Sequence, residues 1–111
     1  MRIELETLPL EKLKIKPLVR PGSMQLVTRE EARRIVNYCA DYQIAILGIE
    51  AFELLNKTQI MPDMNWILDC SCFFYDKSTF SKKSTDAAKK FMENAPSKLY
   101  FELVLNIATA S

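Results

Sequence analysis

The chain reads as one α+β domain of 111 residues: a mostly antiparallel sheet of three to five strands with two helices packed on one face. Three observations predict this. A 3.6-residue apolar stripe runs from Ala32 to Ala40, and a second follows between Phe80 and Met92. An unbroken apolar run, Ile44 to Ile49, reads as a strand buried on both faces. Two further stretches, Asn65 to Phe74 and Leu99 to Ile107, alternate apolar and polar residues as half-buried strands do. The order helix, strand, strand, helix, strand with short connections favours antiparallel neighbours. Length and an apolar fraction of 49% suit one ordinary core.

The first helix has a marked start. Thr28 and Glu31 form a capping-box pattern, and Glu30 and Glu31 suit the positive end of the helix dipole. Val27 stands where a hydrophobic staple to Ala32 belongs. Ala32, Ile35, Val36, Cys39 and Ala40 form the buried stripe. Arg29, Arg33, Arg34, Asn37 and Asp41 form the solvated side. In the strand that follows, Gly48 marks a bulge or a close approach to the backbone. Glu50 falls on the same face as Gly48 and Phe52.

Before this unit the chain is broken by Pro9, Pro17 and Pro21. Ile3 and Leu5, and then Leu13 and Ile15, alternate with charged residues as short strands would. Pro21-Gly22-Ser23 reads as a turn. After it, Asn56 to Gln59 is a polar connection. Trp66, Leu68, Cys70 and Cys72 share one face of the next predicted strand, against Asn65, Asp69 and Ser71. The second helix is predicted over Ser78 to Asn94, with Ser78, Thr79 or Ser84 as cap and Asn94-Ala95-Pro96 as stop.

Composition excludes several chemistries. There is no histidine, which removes the commonest general base and metal ligand. The glycines Gly22 and Gly48 form no phosphate-binding loop. Cys39, Cys70 and Cys72 match no zinc spacing and read as reduced, buried thiols. A carboxylate pair such as Glu50 with Asp69 is conceivable across neighbouring strands, but nothing in the sequence places a pocket between them. No catalytic, cofactor-binding or metal-binding residue is expected. The opening MRIELETLPL has early acids and no continuous apolar core. It predicts neither a signal peptide nor a membrane span, and hence a cytoplasmic protein.

Charge is uneven although the net is +1. Between residues 44 and 76, Glu50, Glu53, Asp63, Asp69 and Asp76 face only Lys57. Beyond residue 76, Lys77, Lys82, Lys83, Lys89, Lys90 and Lys98 outnumber Asp86, Glu93 and Glu102. The basic second helix, with Phe73, Phe74, Tyr75 and Tyr100 available for stacking, admits a nucleic-acid-binding module. The overall balance is far from a strongly basic footprint. The acidic centre instead suits a basic protein partner.

One resemblance sharpens this. Leu26-Val27-Thr28 with Ala32, followed by Ile44-Ala45-Ile46-Leu47-Gly48, Glu50 and Phe52, resembles a family of bacterial immunity proteins of polymorphic or contact-dependent growth inhibition toxin systems. Asn65-Trp66, the Ser-rich stretch Ser78 to Ser84 and the closing strand Tyr100 to Leu105 extend the similarity over roughly residues 24–105. Ile49 stands where the family usually has a second glycine, and Met24-Gln25 where it has a tryptophan. The resemblance implies no enzymatic activity, no cofactor and a tight complex with the C-terminal domain of a cognate toxin, often a nuclease. Inhibitors of nucleases often present carboxylates to a phosphate site. Glu50, Glu53, Asp63 and Asp69 are therefore the candidate partner-binding residues, with Trp66 and Tyr75 as aromatic anchors. The alternative is a small non-enzymatic adaptor or nucleic-acid-binding domain.

Overall fold

The computed structural model describes residues 3–4, 13–20, 24–56 and 59–106. In chain order these are β1 (Ile3–Glu4), β2 (Leu18–Arg20), β3 (Met24–Leu26), α1 (Arg29–Asp41), β4 (Ala45–Leu54), β5 (Ile60–Asp69), a 3₁₀ turn (Ser71–Phe73), α2 (Lys77–Asn94) and β6 (Tyr100–Asn106). β1, β6, β4 and β5 make one antiparallel sheet in that order. β2 and β3 form a hairpin, and Val27, just after it, bridges to Phe101. The fold is α+β, as the periodicities predict.

Local chemistry explains the first half. Both capping-box bonds form: the Glu31 N–H donates to Thr28 Oγ1, and the Thr28 N–H donates to Glu31 Oε1 at 2.9 Å. Ala32, Ile35, Val36 and Cys39 of α1 are buried, and Ala88 and Met92 of α2 join them. Together they cover Ile46, Ile49 and Ala51 of β4 and Phe101, Leu103 and Leu105 of β6. Both helices thus lie on one face of the sheet. Arginines from the polar side of α1 tie it to its neighbours: Arg29 donates to the Glu93 carbonyl and Arg34 to the Leu13 carbonyl.

Several boundaries differ from the sequence reading. β5 runs from Ile60 to Asp69 rather than Asn65 to Phe74, and the residues from Ser71 to Phe73 turn instead of extending. Asp69 stops the strand: its Oδ1 accepts the Ser71 N–H at 2.9 Å, a local turn that competes with the ladder. The α2 cap is Asp76, not a serine or threonine, and its Oδ1 accepts the Ser78 N–H. Ser78 and Thr79 instead lie in the first turn. Leu13 and Ile15 belong to no strand; Ile15 is buried against the core, and Lys14 has φ 56°. Cys39 and Cys70 are buried, but Cys72 is exposed, because the turn ends the alternation that would have hidden it. Burial pushes the Cys39 thiol up to about 12 and Cys70 to about 11. Leu5, the Pro21-Gly22-Ser23 turn, Lys57-Thr58 and Ile107 lie outside the described residues.

Ser84 sits inside α2 and is fully buried. The register of β4 against β6 shifts between Ile46 and Gly48. Beside this irregularity the Ile46 N–H donates to Ser84 Oγ at 2.9 Å, and Ser84 Oγ donates to the Ser81 carbonyl. The hydroxyl thus satisfies a buried backbone donor and has its own acceptor. Ser84→Ala strands that donor and is expected to cost about 1–3 kcal/mol, measured as a lower urea midpoint at unchanged slope.

Candidate partner-binding surface

The site is built on the edge of the sheet, where β4 meets β5. On β4 the residues Ile49 and Ala51 face the helices, so Gly48, Glu50 and Phe52 face the other way. Register then sets the neighbours. Glu50 lies between Ile67 of β5 and Glu102 of β6, and Gly48 between Asp69 and Val104. Asp69 is thus a diagonal neighbour of Glu50 on this face rather than its direct partner. Glu102 directly opposite Glu50 adds a second carboxylate to the row. A shallow depression of about 300 Å³ over Gly48 is lined by Glu50, Ile67, Asp69, Ser71 and Val104, among others.

β5 carries a wide irregularity. Glu50 pairs with Ile67, but Phe52 pairs with Pro62, so only Ala51 spans the interval that Asp63 to Trp66 occupy on the other strand. The surplus residues bulge. Asp63 folds the bulge by accepting the Asn65 N–H at 3.0 Å. Met64 is thrown out at 75% exposure, with Met61 at 52% on one side and Ile67 at 41% on the other.

The six candidate residues do not converge on one point. Glu50 and Asp69 share the face away from the helices. Glu53 lies on the opposite side of β4, across from Met61. Asp63 sits in the bulge. Trp66 turns inward: its ring meets Phe91 edge-on at 5.7 Å and packs against the core. Much of its surface is already used inside the fold. Tyr75 is 76% exposed in the loop before α2, where Lys83 Nζ donates to its hydroxyl at 3.1 Å and lies 5.2 Å from the ring centre. The bond to Tyr75 raises the Lys83 pKa. Hydrogen bonds from Ser71 hold the Asp69 carboxyl below its ordinary 3.8, so its charge persists into acid.

The sequence reading missed Met61, Met64 and Ile67. Met61-Pro62-Asp63 has the residues of a loop, since proline and aspartate both disfavour strands. The one available signal was two methionines flanking a proline and an acid.

A second feature lies between the helices. A groove of about 690 Å³ is lined by Asp41, Gln43, Lys77, Ser78, Ser81, Lys82, Thr85, Asp86 and Lys89, with Ala40. Its charge is mixed, and Lys82 Nζ is bonded to Asp86 at 3.1 Å. Among the described residues no group of three or more Cys, Asp or Glu side chains is placed to hold a metal. No described helix is long and apolar enough to cross a membrane. Compared with known proteins, the chain matches no family model, no curated protein and no solved structure.

Proposed function

We propose that this chain is an immunity-type binding protein that neutralises a cognate bacterial toxin domain by covering its active or substrate site. One observation carries the reading beyond the motif: the exposed apolar side chains of β5 stand among Glu50, Glu53 and Asp63. Such a surface suits an enzyme whose site is built for an anionic substrate such as a nucleic acid. Complementary charge speeds encounter and selects the partner, while the apolar contacts supply affinity. The motif residues serve the fold in this reading: Thr28 caps α1, Gly48 sits under a β5 carbonyl, and Phe52 is buried. Action inside the producing cell, in the cytoplasm, belongs to the same proposal.

The lysine-bearing groove between α1 and α2 favours a second reading, a nucleic-acid-binding module. Asp41 and Asp86 in its lining weaken it.

Affinity capture of the tagged protein from its native cells, followed by mass spectrometry, separates the two. The expected result is one stoichiometric partner, the C-terminal part of a large secreted protein. Expressed alone, that domain arrests growth; co-expressed with this chain, it does not. Recovery of DNA or RNA that is lost steeply with added salt, or of a housekeeping complex, overturns the proposal.

A further inference from the structure

We infer that the bulged outer edge of β5 is the docking surface, that Met64 is its anchor, and that its occupant is a basic protein surface. The inference rests on the binding-protein reading above and names the part of the chain that performs it.

β5 is the last strand of its sheet, and among the described residues no strand pairs with its outer side. Such an edge invites strand addition unless something breaks it. Here two features do. Pro62 has no N–H to offer, and the bulge from Asp63 to Trp66 interrupts the ladder. A partner is therefore met through side chains rather than through main-chain pairing.

The side chains that remain are apolar and flexible. Scattered exposed hydrophobics are ordinary. Met61 and Ile67 point to opposite faces of the sheet and flank Met64 on the bulge between them, so the three border one outer edge that a partner can grip from both sides. Methionine suits an anchor because its unbranched thioether chain adapts to a partner's pocket.

Charge decides the occupant. Met61 lies across from Glu53 and Ile67 across from Glu50, and Asp63 immediately precedes Met64. Each apolar contact thus has a carboxylate beside it. From Ala45 to Asp69 the only basic side chain in the sequence is Lys57. A second copy docked on the same edge would set these carboxylates against each other. Nucleic acid would be repelled for the same reason. A surface of lysines and arginines around an apolar pocket complements both features.

The test uses the full chain, tagged, in its native cells: wild type, Met64→Asp, Met64→Leu, Glu53→Lys, and Lys82→Glu on α2 as control. Met64, Glu53 and Lys82 are all exposed, and the Lys82–Asp86 pair is a surface one, so all variants are expected to melt close to the wild type. The captured partner is identified and its affinity measured at low and high salt. Met64→Asp is expected to weaken binding roughly tenfold or more, the loss typical of a central anchor, whereas Met64→Leu and Lys82→Glu hold it. Glu53→Lys is expected to weaken binding and flatten its salt dependence. A partner with an acidic contact surface, a complex indifferent to Met64→Asp, or a dimer of this chain that Met64→Asp dissolves would each overturn the inference. A basic partner held through Met64 that is no toxin sinks the toxin reading and leaves the docking surface. A toxin domain indifferent to Met64 does the reverse.

Discussion

Phe101→Ala is expected to cost about 3–5 kcal/mol, the range for deleting a fully buried aromatic ring. Phe101 is completely buried on β6, at the centre of the cluster that both helices share with the sheet. Its ring meets Phe91 of α2 edge-on at 6.5 Å. Its main chain exchanges both hydrogen bonds with Val27, at 2.8 and 2.9 Å, so this one residue touches α2 and the segment leading into α1. The cavity cannot collapse without moving β6 away from one of them. Small domains hold only about 5–15 kcal/mol in total, so the variant should be partly unfolded at 37 °C. Phe101→Leu keeps most of the volume and should cost under about 1.5 kcal/mol. Urea unfolding followed by circular dichroism measures both, and a loss below 1.5 kcal/mol for Phe101→Ala (about the cost expected for the leucine) would place Phe101 outside the core.

Gly48→Ala carries a sign as well as a size. Within an ordinary strand, alanine is better than glycine by about 0.5–1 kcal/mol, because glycine loses more freedom on folding. At Gly48 a Cβ would stand 2.8 Å from the Leu68 carbonyl oxygen. That atom is main chain, held in β5, so it cannot swing aside as a long side chain could. β5 must shift relative to β4, and a net loss of about 1–3 kcal/mol is expected, the usual cost of overpacking. A Gly48→Val variant adds two more carbons and should lose more. A stabilised Gly48→Ala would mean that β5 yields freely. Because Asp69 and Ile67 flank Gly48 and Glu50 across this pairing, a shift would also disturb the face on which they stand.

The fate of individual residues shows where sequence sufficed. Thr28 and Glu31 cap α1 as their spacing demands, because a capping box is closed by atoms three residues apart. Of the predicted stripe Ala32, Ile35, Val36 and Cys39 are buried and Ala40, at its end, is half-buried, because helical geometry places these residues on one side whatever they meet. Gly48 was legible as a bulge or a close approach, and the structure has both, a register shift beside it and the Leu68 carbonyl against it. The alternation of Leu99 to Leu105 likewise predicted its inward face.

β5 and its surroundings were not legible in the same way. Pro62 and Asp63 disfavour strands locally, yet β4 supplies a ten-residue partner, and pairing across the sheet outweighs local preference. Asp76 caps α2 because the turn after Asp69 delivers the chain there, although Ser78 and Thr79 have equal claims by residue type. Ser84 reads from the sequence as a third candidate for the α2 cap, yet it lies inside the helix. Only the irregular stretch of β4 packed beneath it gives it a buried donor to satisfy.

By itself, then, the sequence determined what depends on neighbours a few residues apart: the two helices, the central strand β4, the antiparallel α+β class and the acidic centre. The expected burial of that strand on both faces is only partial, since Leu47 and Gly48 are half-buried. The tertiary structure alone decided what depends on register between distant strands. It set Glu50 beside Ile67 and Glu53 beside Met61, parted Glu53 from Asp69, turned Trp66 toward Phe91 and lifted Met64 on a bulge. A change of one residue in pairing moves a side chain to the opposite face. No local pattern in these residues carries that register, and so the surface could be read only from the folded chain.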